Sequence, residues 1–212
     1  MPLYIGIDIG TSGCRAIALD EKDVTVGSAR VPLPEPEGAA SGGIQQDPEL
    51  WWDALLELLD ELFLQIDGQA VAAMALDATS GTVLLAGPDG EALGPALMYN
   101  DNRAVIEAER IAAAAPPSSA AHGTGSGLAK LLWLLERQGT ARVRACTQAD
   151  WLNWRLSGKW FSDANNSLKS GWDAQAGNWP EWLRPLGVPR EMLPSVFLPG
   201  AAEPGRGRGR PG

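Results

Sequence analysis

Three segments of apolar residues open the chain, and short polar stretches separate them. Residues 4–9 are apolar or small apart from one acid, and residues 14–19 are apolar apart from one arginine. A polar turn at 10–13 joins these two segments, and residues 24–32 form the third. The pattern predicts three consecutive strands, with the third antiparallel to the second. Such a meander excludes a simple doubly wound nucleotide-binding fold, which alternates strands with helices from its start.

A helical pattern follows a loop at 34–43 that is rich in proline, glycine and alanine. Asp47 suits the position that caps a helix, Pro48 the first helical position, and Glu49 the positive end of the helix dipole. Apolar residues then recur at the spacing of an amphipathic helix, so we predict a long helix with one buried face. They are Trp51, Trp52, Leu55, Leu56, Leu59, Leu62, Phe63 and Ile66.

The rest of the chain alternates further strands with helices. Residues 71–78 are a continuous run of small apolar residues, which is typical of a strand buried on both faces. Two more strands are predicted, one from Val83 and a short one at 96–99. The helices predicted further on lie at 105–115, 128–137 and 147–158, the last of them capped by Thr147, and a polar loop is expected at 162–171.

The composition limits the class of protein. The 212 residues suffice for one sizeable domain or two small ones, and 45% hydrophobic residues allow a substantial core. A net charge of −9 argues against a nucleic-acid partner. Two distant cysteines, Cys14 and Cys146, and a single histidine suit neither a disulfide framework nor a structural zinc site. The sequence shows no long apolar run and no signal-peptide pattern, so we expect no membrane partner and a cytoplasmic location.

The turn at 10–13 has the residue types of a phosphate-binding loop. Gly10 and Gly13 let backbone N–H groups approach a phosphate, and the hydroxyls of Thr11 and Ser12 add donors. Asp8, an acid within an apolar strand, is placed to hold Mg2+ directly or through water. The sequence lacks the Gly-Lys-Ser/Thr of a P-loop, and its glycines do not open a helix as the dinucleotide fingerprint requires. An ordinary hairpin with a glycine turn is the alternative.

Two clusters of polar side chains follow predicted strands, where α/β proteins place their sites. Carboxylates and hydroxyls can bind the polar groups of a ligand, so the clusters are candidate binding sites. For the second cluster, the alternative is a helix cap at Asp101 with Arg103 paired on the surface. The clusters consist of Asp77, Thr79, Ser80 and Thr82, and of Asn100, Asp101, Asn102 and Arg103.

Several stretches together resemble the FGGY family of carbohydrate kinases, within the actin/Hsp70/sugar-kinase superfamily. The resemblance covers residues 3–200 and implies an α/β fold of the RNase H-like type, with a mixed sheet flanked by helices. It also implies ATP-dependent phosphorylation of a sugar, with ATP and Mg2+ as cofactors. The stretches that carry it are Asp8-Ile-Gly-Thr-Ser-Gly-Cys-Arg15, Gln46-Asp47-Pro48 with Trp51-Trp52, Thr79-Ser80-Gly81, Tyr99-Asn-Asp-Asn-Arg103, Ala129-Lys-Leu-Leu-Trp133 and Leu193-Pro-Ser-Val-Phe-Leu-Pro-Gly200.

The resemblance implies a role for each matching residue. The residues implied to approach the phosphates of ATP are Gly10, Thr11, Ser12, Gly13 and Arg15, and Asp8 is implied to bind the metal. The residues implied to bind the sugar are Gln46, Asp77, Thr79, Ser80, Asp101 and Arg103. The family's general base, an aspartate, is expected beyond the end of this chain, so no catalytic residue is assigned within it.

The residues at the sugar turn separate the branches of this family. Residues 77–85 together with 98–101 look most similar to the kinases of D-ribulose and D-xylulose. Xylulose kinases of the common bacterial type usually carry Met-His where this chain has Thr79-Ser80, and glycerol kinases usually carry Arg-Glu there. We therefore expect a ketopentose substrate, D-ribulose before D-xylulose, with glycerol after both.

The end of the chain departs from the family's pattern. Residues 201–212 have no apolar periodicity and are expected to be an aberrant or disordered tail. Residues 1–200 are expected to form the N-terminal domain of a kinase, incomplete at its C-terminal end, with the ATP-binding C-terminal domain absent. The chain is thus expected to be inactive alone and to need that domain as a partner; a homodimer stays open.

Two other functions stay open from the sequence. The chain could be a non-catalytic module that binds a sugar or a partner with half a kinase fold. It could also belong to a different phosphotransferase with the actin fold, although the Gln-Asp-Pro and Asn-Asp-x-Arg clusters argue against that interpretation.

Overall fold

The computed structural model describes residues 1–38, 42–139 and 142–201. Within them the strands are β1 (Leu3–Ile9), β2 (Gly13–Leu19), β3 (Thr25–Pro32), β4 (Glu37–Gly38), β5 (Ile44–Gln46), β6 (Val71–Ala78), β7 (Val83–Ala86), β8 (Ala96–Leu97), β9 (Arg144–Thr147), β10 (Phe161–Asp163) and β11 (Ser195–Phe197). The α-helices are α1 (Glu49–Phe63), α2 (Val105–Ala114), α3 (Gly127–Gln138), α4 (Gln148–Ser157) and α5 (Ala164–Ser167).

The first three strands form the antiparallel meander that the apolar segments predict. β1 pairs with β2, and β2 with β3, in antiparallel register. β6 joins the free side of β1 in parallel, which gives a four-stranded sheet with the order β3–β2–β1–β6. The sheet is therefore mixed, as predicted.

One face of this sheet packs on α1. Residues along β1 alternate between buried and exposed, so Ile5, Ile7 and Ile9 face the helix while Tyr4 and Asp8 face outward. The buried stripe of α1 fills the space above β2 and β3. The stripe consists of Trp51, Ala54, Leu55, Leu58, Leu59 and Leu62. The amphipathic helix predicted from the three- and four-residue spacing is confirmed.

β6 is an edge strand, and the prediction that it would be buried on both faces is wrong. Residues 72–75 are exposed, and only Ala78 at the strand's end is buried. Met74 keeps 41% of its surface in contact with solvent. Among the described residues no strand pairs with the outer edge of β6. A run of small apolar residues suits a central parallel strand, but the run alone does not show what covers the strand.

A second sheet lies beside the first, with the order β4–β5–β8–β7–β9. All four residues of β7 are buried, and α3 packs against this strand. α2 packs on α3, so the two helices and the second sheet enclose a core of their own around Leu85, Ile111 and Leu131. The polar clusters at 77–82 and 99–103 lie where the two sheets meet, because they follow β6 and β8.

The two helix caps predicted from the sequence are present. The Asp47 carboxylate accepts a hydrogen bond of 3.0 Å from the Glu49 amide, and Pro48 already has helical φ and ψ. At α4 the Thr147 hydroxyl accepts from the Asp150 amide, while the Asp150 carboxylate accepts from the Thr147 amide. This reciprocal pair satisfies two backbone donors that the first turn of a helix leaves without partners.

Burial at α4 predicts an unusual pH dependence of stability. It raises the pKa of the Asp150 carboxyl to about 6 from an ordinary value of 3.8, against hydrogen bonds from Ser162 and Thr147 that lower the pKa. Between these values the folded chain binds a proton that the unfolded chain releases, so this group's stabilising contribution falls as pH rises. We compare the free energies of unfolding of wild type and Asp150→Asn. From pH 5 to pH 7 we expect their difference to shift by about 1 kcal/mol in favour of the variant.

Urea unfolding at the two pH values measures that shift, with Asp53→Asn on the exposed side of α1 as the control variant. An identical difference between wild type and Asp150→Asn at both pH values would contradict a raised pKa.

The C-terminal third contains more structure than the polar pattern predicts. The predicted loop at 162–171 includes β10, which pairs in parallel with β11, and the short helix α5. The Asp163 carboxylate caps α5 by accepting from the amides of Asn165 and Asn166. An apolar pattern does not reveal such a turn, because side chain-to-backbone bonds make it. The tail expected at 201–212 lies almost wholly outside the described residues. No helix in the described ranges is long and apolar enough to cross a membrane.

Candidate active site

The predicted phosphate turn is a tight β-hairpin between β1 and β2. The Gly10 amide donates to the Gly13 carbonyl oxygen over 3.0 Å, and the Leu33 amide donates to the Ser12 carbonyl oxygen over the same distance. A Cβ at Gly13 would lie 2.8 Å from the Val31 carbonyl oxygen, so a side chain is excluded there. Ser12 is exposed and Thr11 is half-buried. The glycines therefore close the turn, and the two hydroxyl residues lie at its tip.

Three charged side chains form a row on the exposed face of the first sheet. Asp8 pairs with Arg15 across β1 and β2, and with Asp77 across β1 and β6. Paired residues of neighbouring strands have their side chains on the same face, and all three residues are exposed. Asp77, which the resemblance assigns to the sugar, thus lies beside the residue assigned to the metal. The sequence could not show this pairing because 68 residues separate the two acids.

The Thr79–Thr82 turn brings the two polar clusters together. The Thr82 amide donates to the Thr79 carbonyl oxygen over 3.2 Å, and Gly81 adopts a φ of 85° that favours glycine. The buried Thr82 hydroxyl accepts a hydrogen bond of 3.1 Å from the Tyr99 amide. Thr79 and Ser80 are half-buried at the surface. The turn therefore presents these two side chains next to the start of the 99–103 loop.

Asp101 and Arg103 form an ion pair within the protein rather than on its surface. Asp101 is fully buried, and its Oδ2 accepts from Arg103 Nε and from the Ile44 amide over 2.8 and 2.6 Å. α2 has Ala104 as its N-cap, so Asp101 does not cap this helix. The Arg103 guanidinium also lies over the Trp133 ring, 4.9 Å from its centroid. The pair ties the 99–103 loop to β5, and direct sugar contacts by these two side chains stay predictions.

Gln46 lies in the interior, and its neighbour Gln45 faces the loop. Gln46 donates to the Pro34 carbonyl oxygen over 2.8 Å and accepts from the Trp51 indole over 2.7 Å. Gln45 accepts from the Arg103 guanidinium at 3.3 Å. Successive side chains of a strand point to opposite faces, which explains why one glutamine is buried and the other is not. The structure gives Gln46 a packing role, and its contact with a sugar stays a prediction.

A third segment of the site was not assigned from the sequence. The Thr124 hydroxyl donates to the Asn102 side chain over 3.0 Å, which places 124–125 against the 99–103 loop. Lys130 of α3 reaches the same place and donates to the carbonyl oxygens of Tyr99 and Gly125 over 3.2 and 3.1 Å. The signal in the sequence was a lysine on the apolar side of an amphipathic helix, which calls for a buried partner.

The site therefore has two adjoining parts on one open edge. The first part, which is predicted to bind phosphate and is called the phosphate edge below, consists of the 10–13 turn with Asp8, Arg15 and Asp77. The second part, which is predicted to bind the sugar and is called the sugar edge below, consists of the Thr79–Thr82 turn, the 99–103 loop and Thr124. Since β6 ends at Ala78, one residue before Thr79, the two parts follow one another directly along the chain.

Known proteins match both the sequence and the fold. The sequence matches the N-terminal domain of the FGGY family of carbohydrate kinases over residues 3–202. It is 28% identical to the xylulose kinase of Escherichia coli K12, over 92% of this chain and 42% of that protein. It is 31% identical to the xylulose kinase of Streptomyces rubiginosus, over 94% of this chain and 43% of that protein.

A solved structure, that of the xyloylose kinase of Brucella ovis, superposes with a TM-score of 0.84 at 26% identity. The superposition covers 92% of this chain and 43% of that one. The chain thus spans less than half the length of these relatives.

Proposed function

Because the chain belongs to the FGGY family of carbohydrate kinases, we propose that it forms one wall of the active-site cleft of an ATP-dependent ketopentose kinase. The observation that carries the proposal is the continuity of the open edge. The charged row of Asp8, Arg15 and Asp77 leads directly into the Thr79–Thr82 turn. A phosphate group and a sugar hydroxyl bound along this edge would lie next to each other, as transfer between them requires.

The phosphate edge fits a nucleotide with Mg2+. In such sites Mg2+ takes one or two carboxylates together with phosphate oxygens, and Asp8 and Asp77 are two neighbouring exposed carboxylates. When bound, the metal neutralises charge on the phosphate oxygens. The 10–13 turn offers glycine backbone and the hydroxyls of Thr11 and Ser12, and Arg15 adds a positive charge in register with Asp8. We propose these residues as the phosphate and metal ligands.

The sugar edge fits a small polyol. Thr79 and Ser80 supply hydroxyls, and the exposed residue Tyr99 follows in the loop whose backbone bonds to the same turn at Thr82. We propose D-ribulose as the preferred substrate, because Thr79-Ser80 replaces the Met-His usual in bacterial xylulose kinases. D-Xylulose is the second candidate, since the two curated relatives named above are xylulose kinases.

Phosphoryl transfer needs more groups than this side of the active-site cleft provides. The aligned hydroxyl, the phosphates and the metal have to meet in one closed cleft. We propose that a general-base aspartate and an adenine-binding domain come from further polypeptide, and that residues 1–212 alone do not turn over. A non-catalytic sugar-binding module is the alternative, and it would bind sugar without turnover even when such polypeptide is supplied.

Calorimetric titration of the 212-residue chain with D-ribulose, D-xylulose and glycerol tests the sugar edge. We expect the tightest binding for D-ribulose and a loss of roughly 10-fold in affinity for Thr79→Val, since a hydroxyl bond to the ligand is lost. Ser118→Ala, in an exposed loop, is the matched control and should bind like wild type. Equal binding of all three compounds, or none at all, would contradict the assignment of this edge.

A further inference from the structure

Lys130 is a fully buried lysine on the side of α3 that faces the sugar edge. Its Nζ donates to the carbonyl oxygens of Met98, Tyr99 and Gly125 over 3.0, 3.2 and 3.1 Å. An ammonium has three N–H donors and no acceptor, so these three oxygens satisfy it completely. Burying a charge costs free energy even when it is well paired, and an apolar side chain of similar size would avoid that cost.

The three carbonyl oxygens belong to the two backbone segments that build the sugar edge. Met98 and Tyr99 begin the loop that continues to Arg103, and Gly125 follows Thr124 in the segment before α3. The two segments also meet through the bond of 3.0 Å between the Thr124 hydroxyl and the Asn102 side chain. That second contact is exposed to solvent, whereas the ammonium is not. Lys130 is therefore the buried link between them.

We propose that Lys130 is a positioning residue. Its buried ammonium fixes Met98 and the 99–103 loop against the 124–125 segment and thereby sets the geometry of the sugar edge. It acts through the backbone and does not touch the substrate. The part of the proposal that concerns sugar affinity rests on the proposed function, whereas the part that concerns the two backbone segments does not.

The charges around Lys130 make this link sensitive to pH. Burial lowers the pKa of the Lys130 ammonium to about 8, while Asp101 raises it and Lys169 lowers it further. Asp101 lies on the loop that Lys130 holds, and Lys169 comes from the turn after α5, with its side chain beside Gly81. A neutral amine has only two N–H donors for three carbonyl oxygens. One of the three bonds should therefore be lost as pH rises through about 8.

Nuclear magnetic resonance of the wild-type chain tests the link without any sugar. The chain has four lysines, so lysine labelled at 13Cε gives four signals. The signal that none of Lys22→Met, Lys159→Met and Lys169→Met removes is that of Lys130. We expect this signal to titrate near pH 8, and the amide signals of Tyr99 and Gly125 to shift with the same midpoint. Amide signals at both segments that stay fixed while Lys130 titrates would overturn the proposal.

Sugar affinity tests the consequence for binding. Lys130→Met should fold and weaken pentulose binding roughly 10-fold, because three carbonyl oxygens lose a charged donor. Lys130→Arg stays charged above pH 8, so its affinity should be the same on both sides of that pH, while wild-type affinity falls. Lys22→Met, at an exposed turn, is the control and should keep the wild-type pH profile.

The outcomes of the two experiments are distinguishable. Affinity of Lys130→Met equal to that of Lys22→Met would overturn the positioning role. If wild type binds no sugar, or if Lys130→Met fails to fold, the wild-type resonance titration alone decides whether Lys130 holds the two segments. A lack of sugar binding would then count against the proposed function and not against the link.

Discussion

Asp8→Asn should lower the kcat of the proposed kinase, expressed together with the further polypeptide proposed above, by roughly 100-fold or more. Asparagine keeps the size of the side chain but removes the negative charge that a divalent cation needs. Asp8 lies on the phosphate edge, in register with Asp77, and has no proposed contact with the sugar, so KM for the pentulose should change little. A coupled assay of ADP release, at several Mg2+ concentrations, measures both constants.

The matched control for this prediction is Asp53→Asn, an exposed acid on α1 that should leave kcat unchanged. Asp8 is exposed too, so its replacement should not disturb folding, and the unfolding transition of the variant checks this. A kcat for Asp8→Asn equal to that of Asp53→Asn would show that Asp8 does not bind the metal. A rise in KM for the pentulose with unchanged kcat would indicate that Asp8 contacts the sugar instead.

Asp101→Ala should lower the free energy of unfolding by about 3–5 kcal/mol. The substitution leaves the Arg103 guanidinium, whose side chain is 17% exposed, without its counter-charge. It also removes the acceptor of the Ile44 amide, which lies 2.6 Å from the carboxylate. Losing one partner of a buried pair is costly because the other charge stays desolvated. Urea unfolding at neutral pH measures the change.

The surface pair of Glu49 and Arg155 provides the comparison, since its N–O distance is also 2.8 Å but 48% of the Glu49 side chain is exposed. Glu49→Ala should cost less than about 1 kcal/mol. If Asp101→Ala costs no more than Glu49→Ala, the interior ion pair does not hold the 99–103 loop to β5.

Local patterns in the sequence predicted most of the fold. The strand predicted at residues 4–9, the amphipathic helix α1 and the cap at Thr147 depend on residues close in sequence, and each is confirmed. The predicted RNase H-like α/β fold is confirmed as well, because the chain superposes on a sugar kinase with a TM-score of 0.84. The exposure of β6 was not predicted, because the residues of a strand do not specify which other elements pack against it.

The roles of the candidate site residues stay predictions, and their arrangement could not be predicted from the sequence. The sequence singled out Asp8, Asp77, Asp101 and Arg103, yet only the register of the sheet places Asp77 beside Asp8. The contacts that bury Asp101 and Lys130 join residues 57 and 31 positions apart. Such contacts depend on how the two sheets and α3 pack together, and no local pattern specifies that packing.

Turnover tests the central claim most directly, namely that this chain supplies the sugar and phosphate edge of an ATP-dependent ketopentose kinase. The measurement is ATP-dependent ADP release with D-ribulose, D-xylulose and glycerol, using a longer protein that contains this chain and the further polypeptide proposed above. The predicted result is turnover of ketopentoses, with the highest kcat/KM for D-ribulose and none for the 212-residue chain alone. No turnover of any ketose or polyol by the longer protein would contradict the account.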